Sequence, residues 1–332
     1  MDDDVDAPTL DELDLAIVHA LQIDARVPWT RLAGVLGIDA ATVARHWRLL
    51  SERRAAWLTS WPTPQRWASS SDLAVIVLDT PPGTDAAEVR GAVLDLPWAI
   101  GLDDTSAGLV VTVAASRGLD ALAERRRQLI ALGTRVRRMD VVAALAEEDS
   151  TWRLQALSRD QQRALARPTG VPSRPPASHL VDDIAAALDE DPRLPTVTLA
   201  ARLGVSEPTA RRAVDRVLAA GLVRVGCDLA MAGAGLGRGA ILWARALDVE
   251  AAAARAARLP EAHRVGVTVG PAPLFVCVRA RSLAVLPRIE RAWQDATPVE
   301  VVDRWTVLRT WKRNGHLLDA AGRTLRRVPV AW

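Results

Sequence analysis

Among the residues able to do chemistry, arginines stand out. Lys312 is the only lysine, so nearly every fixed positive charge is a guanidinium. Its planar fork suits phosphate oxygens or the edge of guanine. Two clusters have helical spacing: Arg45 with Thr42 and His46, and Arg211, Arg212 and Arg216 with Thr209. A helix face of this kind fits a nucleic acid. Thr42, Thr209 and the helix N-termini would meet phosphates, while Arg45 and Arg212 would read guanine with His46 and Arg211 beside them. GC-rich coding also enriches arginine, so position carries this argument and abundance does not.

Other chemistries find less support. His19, His46, His179, His263 and His316 are scattered, and no pair has the spacing of metal ligands. Ser206 suits a helix cap better than a nucleophile. Asp103-Asp104 and Glu147-Glu148-Asp149 read as solvated turns, not acid/base pairs. With twelve Trp, one Phe and no Tyr, tyrosine chemistry is out. Cys227 and Cys277 sit in apolar runs and read as buried free thiols. The run 232–240, AGAGLGRGA, leads into a strand and reads as a hinge, because a phosphate cradle needs a following helix. The expectation is no catalytic set, no metal, no cofactor and no enzyme.

Net charge is +2 over 332 residues, so local patches must attract any polyanion. The start, MDDDVDAPTL, is acidic and lacks the apolar segment of a secretory signal. No run reaches the ~20 apolar residues of a membrane span. A cytoplasmic protein without membrane contact is expected.

The elements that position the arginines occur twice. TRLAGVLGIDAATVARHWRLLSERR spans 30–54, and TLAARLGVSEPTARRAVDRVLAAG spans 198–221, with Gly37 and Gly204 lying 167 residues apart. Each reads as a short helix, a left-handed glycine turn and a longer helix, preceded by a packing helix: a helix-turn-helix. Asp39 and Ser206 occupy the cap position of the longer helices. Trp29 replaces a small polar cap, which makes the first copy the less typical DNA reader. After each copy the hydrophobic pattern predicts the order βαββαβ, over 73–145 and again over 240–308. The proline-rich run 167–178 is an extended linker. The division is 9–62 helix-turn-helix, 70–150 βαββαβ, 151–178 helix and linker, 179–230 helix-turn-helix, 238–312 βαββαβ and 313–332 tail. The basic run 323–327 reads as a solvated end.

These residues resemble the leucine-responsive/AsnC (Lrp/AsnC) family of bacterial transcriptional regulators. The resemblance lies in Leu32-Ala33-Gly34-Val35-Leu36-Gly37-Ile38-Asp39 with Thr42-Val43, in Leu199-Ala200-Ala201-Arg202-Leu203-Gly204-Val205-Ser206 with Thr209-Ala210, and in the sheets that follow. It implies an α+β chain: two winged helix-turn-helix DNA-binding domains and two ferredoxin-like βαββαβ domains of the AsnC ligand-binding and dimerisation type, in tandem. It further implies double-stranded operator DNA as partner, an intramolecular pseudo-dimer or a homodimer, and an amino acid or other small metabolite between paired sheets. Gly108 and Gly270 occupy the family's effector loop, where the acidic residues that would hold an ammonium group are absent from Thr105–Leu109 and Val269–Pro273. Two alternatives stand beside this reading. Siroheme decarboxylases resemble the same architecture, and a metabolite-sensing adaptor that does not bind DNA would need only the sheets.

Overall fold

The computed structural model describes residues 9–62, 71–116, 118–147, 152–166 and 178–330. It divides into two compact units, each built from discontinuous stretches. One comprises Leu10–Trp67 and Arg153–Leu229; the other comprises Met1–Thr9, Ala68–Trp152 and Ala230–Trp332. Among the described residues, no helix is long and apolar enough to cross a membrane.

The first unit carries both helix-turn-helix copies, here called heads. α1 (Glu12–Ile23), α2 (Trp29–Leu36) and α3 (Ala40–Glu52) form the first. α7 (Ser178–Glu190), α8 (Thr196–Leu203) and α9 (Glu207–Ala219) form the second. Gly37 and Gly204 end α2 and α8 at φ 71° and 65°, where a glycine pays no steric penalty. A strand follows each head, β1 (Ala56–Pro62) and β6 (Val223–Leu229), and the two pair antiparallel. Their register centres on Thr59 opposite Gly226. Those positions are separated by the repeat offset, so a pseudo-two-fold axis passes through that pair. Gly226 has a steric reason: a Cβ there would stand 2.7 Å from the Trp61 ring.

Two arginines obey the same symmetry. Arg26 donates to the carbonyls of Pro192 and Leu194 at 2.7 and 2.9 Å, and Arg193 donates to those of Ala25 and Val27 at 2.8 and 3.0 Å. Shifting either pair by the offset generates the other, which is the signature of an isologous contact.

Residues 152–166 were expected to be one helix, but only α6 (Arg159–Leu165) is. The amides ahead of it are already used. Leu154 N donates to Gln22 Oε1 at 2.9 Å, and the amides of Ala156 and Leu157 donate to His19 Nδ1 at 3.2 and 3.0 Å. The segment straps the first head, and Arg31 of α2 donates to Ala164 O at 2.6 Å.

The second unit holds the sheets. Its first half runs β2 (Ser71–Asp79), α4 (Ala86–Asp95), β3 (Ala99–Thr105), β4 (Gly108–Ser116), α5 (Leu119–Ala131) and β5 (Arg135–Glu147). Its second half runs β7 (Arg238–Ala246), α10 (Val249–Ala256), β8 (Ala262–Val269), β9 (Leu274–Ala280), α11 (Leu286–Gln294) and β10 (Val299–Arg313). The βαββαβ order therefore appears twice, but not as two separate open sheets. β5 pairs with β8, and β10 pairs with both β7 and β3, so the eight strands close into a β-barrel. The physical reason is the edges: each half alone would leave two strands with unpaired amides and carbonyls, and closure pairs them. Helices cover the outside over the clusters around Ile76, Leu102 and Leu129 and around Leu242, Val276 and Trp293. Val75, Val77 and Val110 of one half meet Trp243, Phe275 and Trp305 of the other inside. The Arg138 guanidinium lies 3.9 Å from the Trp243 ring centroid.

Past β10 the sequence showed only a turn and a solvated end. Asn314 and Gly315, at φ 49° and 80°, make the turn with the two positive φ angles typical of a tight hairpin. Two further strands follow, β11 (His316–Leu318) and β12 (Thr324–Arg327), so part of the basic run is sheet. Arg323 pairs with Asp319, and Arg326 with Asp95. Lys312 is buried, and its ammonium donates to the carbonyls of Leu94 and Leu96 at 2.8 Å each, closing the C-terminal end of α4. Burial lowers its pKa to about 8. Both cysteines are buried free thiols.

Candidate functional site

Each head presents its longer helix, and the outward residues are held differently. In α3, Arg45 and Arg48 are exposed, while Thr42 and His46 are partly buried. Asp39 accepts the Thr42 amide at 2.7 Å and the Thr42 hydroxyl at 2.6 Å. Those hydrogen bonds hold its carboxyl below the usual range. His46 Nδ1 sits 2.9 Å from Asp14 Oδ1, tied back to α1. In α9, Arg211, Arg212 and Arg216 are all exposed. Arg211 pairs with Glu207 at 3.0 Å one turn earlier, and Arg216 Nε donates to the Arg212 carbonyl at 3.3 Å. Ser206 stands at the cap position, yet its hydroxyl meets the Thr209 hydroxyl at 2.9 Å and no backbone amide.

Trp29 is not the missing cap it resembled. Both α2 and α8 begin after a proline without a side-chain cap. Trp29 instead packs 6.4 Å from Trp47, centroid to centroid, with the Arg193 guanidinium 4.0 Å from its ring. Asp11, Asp14 and His46, distant in sequence, bring ligand-type atoms within 4.8 Å of one another. The capping box between Asp11 and Asp14, together with the His46 bond, accounts for that cluster.

The two effector-loop glycines are not brought into one pocket. Gly108 has φ +113°, and a Cβ there would stand 2.8 Å from the Leu78 carbonyl. A Cβ on Gly270 would stand 2.5 Å from Asp140 Oδ1. Gly108 borders an open pocket of about 440 Å³ with Asp79, Asp104, Arg90, Leu78 and Leu109. The loop lacks acidic residues in sequence, but strand pairing supplies them: Asp104 and Leu78 both lie opposite Leu109 on the strands flanking β4. Asp103 and Asp104 thus belong to β3 and not to a solvated turn. Two carboxylates and a guanidinium around one pocket can hold an ammonium and a carboxylate together. Asp79, Asp104 and Arg90 escaped sequence reasoning because their proximity depends on register.

Fold and site define the class: a double-headed helix-turn-helix protein with a closed antiparallel barrel. Residues 10–50 match the model of the AsnC-type helix-turn-helix domain, and residues 183–224 match a winged helix-turn-helix DNA-binding model. The first head is thus of AsnC type and the second of winged helix-turn-helix type. No curated protein matches it in sequence. Among solved structures, the siroheme decarboxylase NirDL aligns with a TM-score of 0.58 at 15% identity, over 91% of this chain and 93% of that one. Its complex with an iron-uroporphyrin III analogue gives 0.57 at the same identity and coverage. The leucine response regulatory protein LrpA of Mycobacterium tuberculosis is similar over 42% of this chain and 97% of its own, at 20% identity and a TM-score of 0.38. The expectation that this chain is no enzyme is therefore overturned: the fold that spans nearly all of it also carries an enzyme. Helix-turn-helix heads say nothing against chemistry in the barrel.

Proposed function

We propose that the protein is a sequence-specific, double-stranded DNA-binding transcriptional regulator that reads an operator with two unequal heads of one chain. The observation that carries this reading is the pseudo-two-fold in the head unit. The β1–β6 ribbon and the reciprocal Arg26 and Arg193 contacts make the heads an intramolecular counterpart of a dimer. Two-fold related recognition helices suit two half-sites on one duplex. Thr42, Arg45 and His46 would contact one half-site, and Thr209, Arg211, Arg212 and Arg216 the other. Because the two sets differ, the operator should be asymmetric. Genomic binding-site sequencing followed by footprinting tests this, and a strictly symmetric site with equal tolerance in both halves would overturn it. Each half of the barrel serves in this reading as a ferredoxin-like unit. The pocket at Gly108, with Asp79, Asp104 and Arg90, would take an amino acid or similar zwitterion; Gly270 is the corresponding position in the other half.

A second reading rests on the extent of the likeness to NirDL, 91% of this chain. On it, the barrel would decarboxylate a siroheme-like tetrapyrrole. Anaerobic incubation with siroheme and chromatography of the products decides it: loss of carboxylates upholds this reading, and unchanged siroheme removes it.

A further inference from the structure

The Gly108 pocket is finished by a strand from the other half of the barrel. Arg90, on α4, holds its guanidinium 4.2 Å from the centroid of the Trp311 ring, and Trp311 belongs to β10. The β10–β3 register slips between Thr310 and Lys312, which leaves Trp311 as the bulged residue. A bulge re-aims side chains, and here two successive ones reach α4. Trp311 meets Arg90, and Lys312 bonds the carbonyls of Leu94 and Leu96.

Among the described residues, the Arg90 guanidinium has the Trp311 ring as its partner and no carboxylate. Arg309 shares that ring at 3.3 Å and lies opposite Asp104 across the strand pair. Asp79 is already paired with Arg137 at 3.5 Å. The pocket's unused donor is therefore Arg90, and its unused acceptor is Asp104, which takes no hydrogen bond from a described residue. The Trp311 indole N–H is buried without a hydrogen-bond partner among the described residues. A phenyl ring would avoid that cost, whereas an indole face holds a guanidinium best.

The other half repeats the geometry without the chemistry. The β5–β8 register slips at the matching places, between Val142 and Ala144 and between Leu145 and Glu147. Ala146 stands there where Trp311 stands in β10, and Val267, opposite Ala144, stands where Asp104 does. Counted from the capping residues Asp85 of α4 and Asp248 of α10, the counterpart of Arg90 is Ala253. Guanidinium, carboxylate and ring all give way to apolar side chains.

We infer that the barrel holds one ligand per chain, in the Gly108 pocket, and that Trp311 is the positioning residue that presents Arg90 to the ligand's carboxylate while Asp104 takes its ammonium group. A stacked guanidinium has already lost rotamer freedom, so its paired donors meet a carboxylate at lower entropic cost. The inference deepens the effector reading of that pocket and rests on it.

The test is calorimetric titration of the full chain with each of the ordinary α-amino acids, and then with the decarboxylated amine of whichever binds. Saturable binding at one site per chain is expected, with the amino acid preferred over its amine. Arg90→Gln should cut that preference ~ten-fold or more, the loss of a charge-assisted pair. Trp311→Leu should cut it ~five-fold with the amine bound as before, and Trp311→Phe should fall between Trp311→Leu and the native chain. A residue that only props the fold would weaken both ligands alike. Two sites per chain, or a preference unchanged by Trp311→Leu, overturns the inference and leaves the effector reading standing. No binding of any amino acid overturns both. If Trp311→Leu loses the native circular dichroism spectrum, Trp311→Phe decides alone: a reduced preference upholds the role, and an unchanged one removes it.

Discussion

Asp39 and Ser206 occupy the same place at the start of α3 and α9, and only Asp39 closes a cap on the backbone. The contrast runs through both heads. The first is tied down by the strap over α1, by His46 on Asp14 and by Trp29 against Trp47. The second has Arg211, Arg212 and Arg216 exposed on one helix, where the first offers Arg45 and Arg48. One backbone plan has been finished two ways, with more anchoring in one head and more exposed guanidinium surface in the other. The clasp and the ribbon are common property, because they lie on the pseudo-two-fold.

The largest expected effect breaks the anchoring of the first head. His19 accepts two amides through Nδ1, so it must be neutral there. Burial, and then Arg153, lower its pKa from 6.5 to about 4. The unfolded chain therefore binds the proton more readily. This contribution to stability is whole above pH 6.5 and is lost as pH falls towards 4, by about 3 kcal/mol at most. The protection factors of the Ala156 and Leu157 amides, taken against the intrinsic exchange rate at each pH, should fall over that window before those of the second head. A uniform fall in both heads would sink the assignment.

Next comes the clasp that both heads share. Arg26→Ala and Arg193→Ala each strand two carbonyls and should each cost ~2 kcal/mol in denaturant unfolding. By symmetry the two losses should be similar, and the double variant should lose less than their sum. A loss of only a few tenths for either would show that the contact does not hold the heads together.

Arg45→Ala against Arg212→Ala sharpens the functional side. Loss of a base contact costs ~1–3 kcal/mol of DNA binding. We expect each substitution to act on one half-site only, with further loss from Arg211→Ala or Arg216→Ala confined to the second. Gel shifts on half-site mutants measure this, and equal effects on both halves would count against two unequal heads.

Much of this contrast was legible in the sequence. The offset aligns Asp24-Ala25-Arg26 with Asp191-Pro192-Arg193, so the clasp residues were visible as a repeat. Their contact was not, because an offset reveals equivalence and not proximity. The glycine turns were readable because left-handed backbone demands glycine, as Gly37 and Gly204 confirm. Barrel closure was hidden for the opposite reason. The β5–β8 pairing joins residues more than a hundred apart in sequence through backbone groups every residue carries, and its two register shifts follow no side-chain pattern. The same gap concealed Asp104 beside Gly108 and Trp311 beside Arg90.

The smallest effect returns to the caps. Asp39→Ala removes an acceptor from the Thr42 amide and hydroxyl, and it removes a negative charge from the N-terminus of α3. Ser206→Ala removes a hydroxyl that bonds only to the hydroxyl of Thr209. The first should lower the melting temperature by a few degrees, and the second should leave it within error. Asp39→Ala should also free the Thr42 hydroxyl. If that hydroxyl contacts phosphate, the less stable variant will bind DNA no more weakly, and the salt dependence of its binding will steepen as a negative charge leaves the interface. Equal melting shifts for both substitutions would mean that the cap geometry does not distinguish the heads, leaving the strap and the arginine count as their difference.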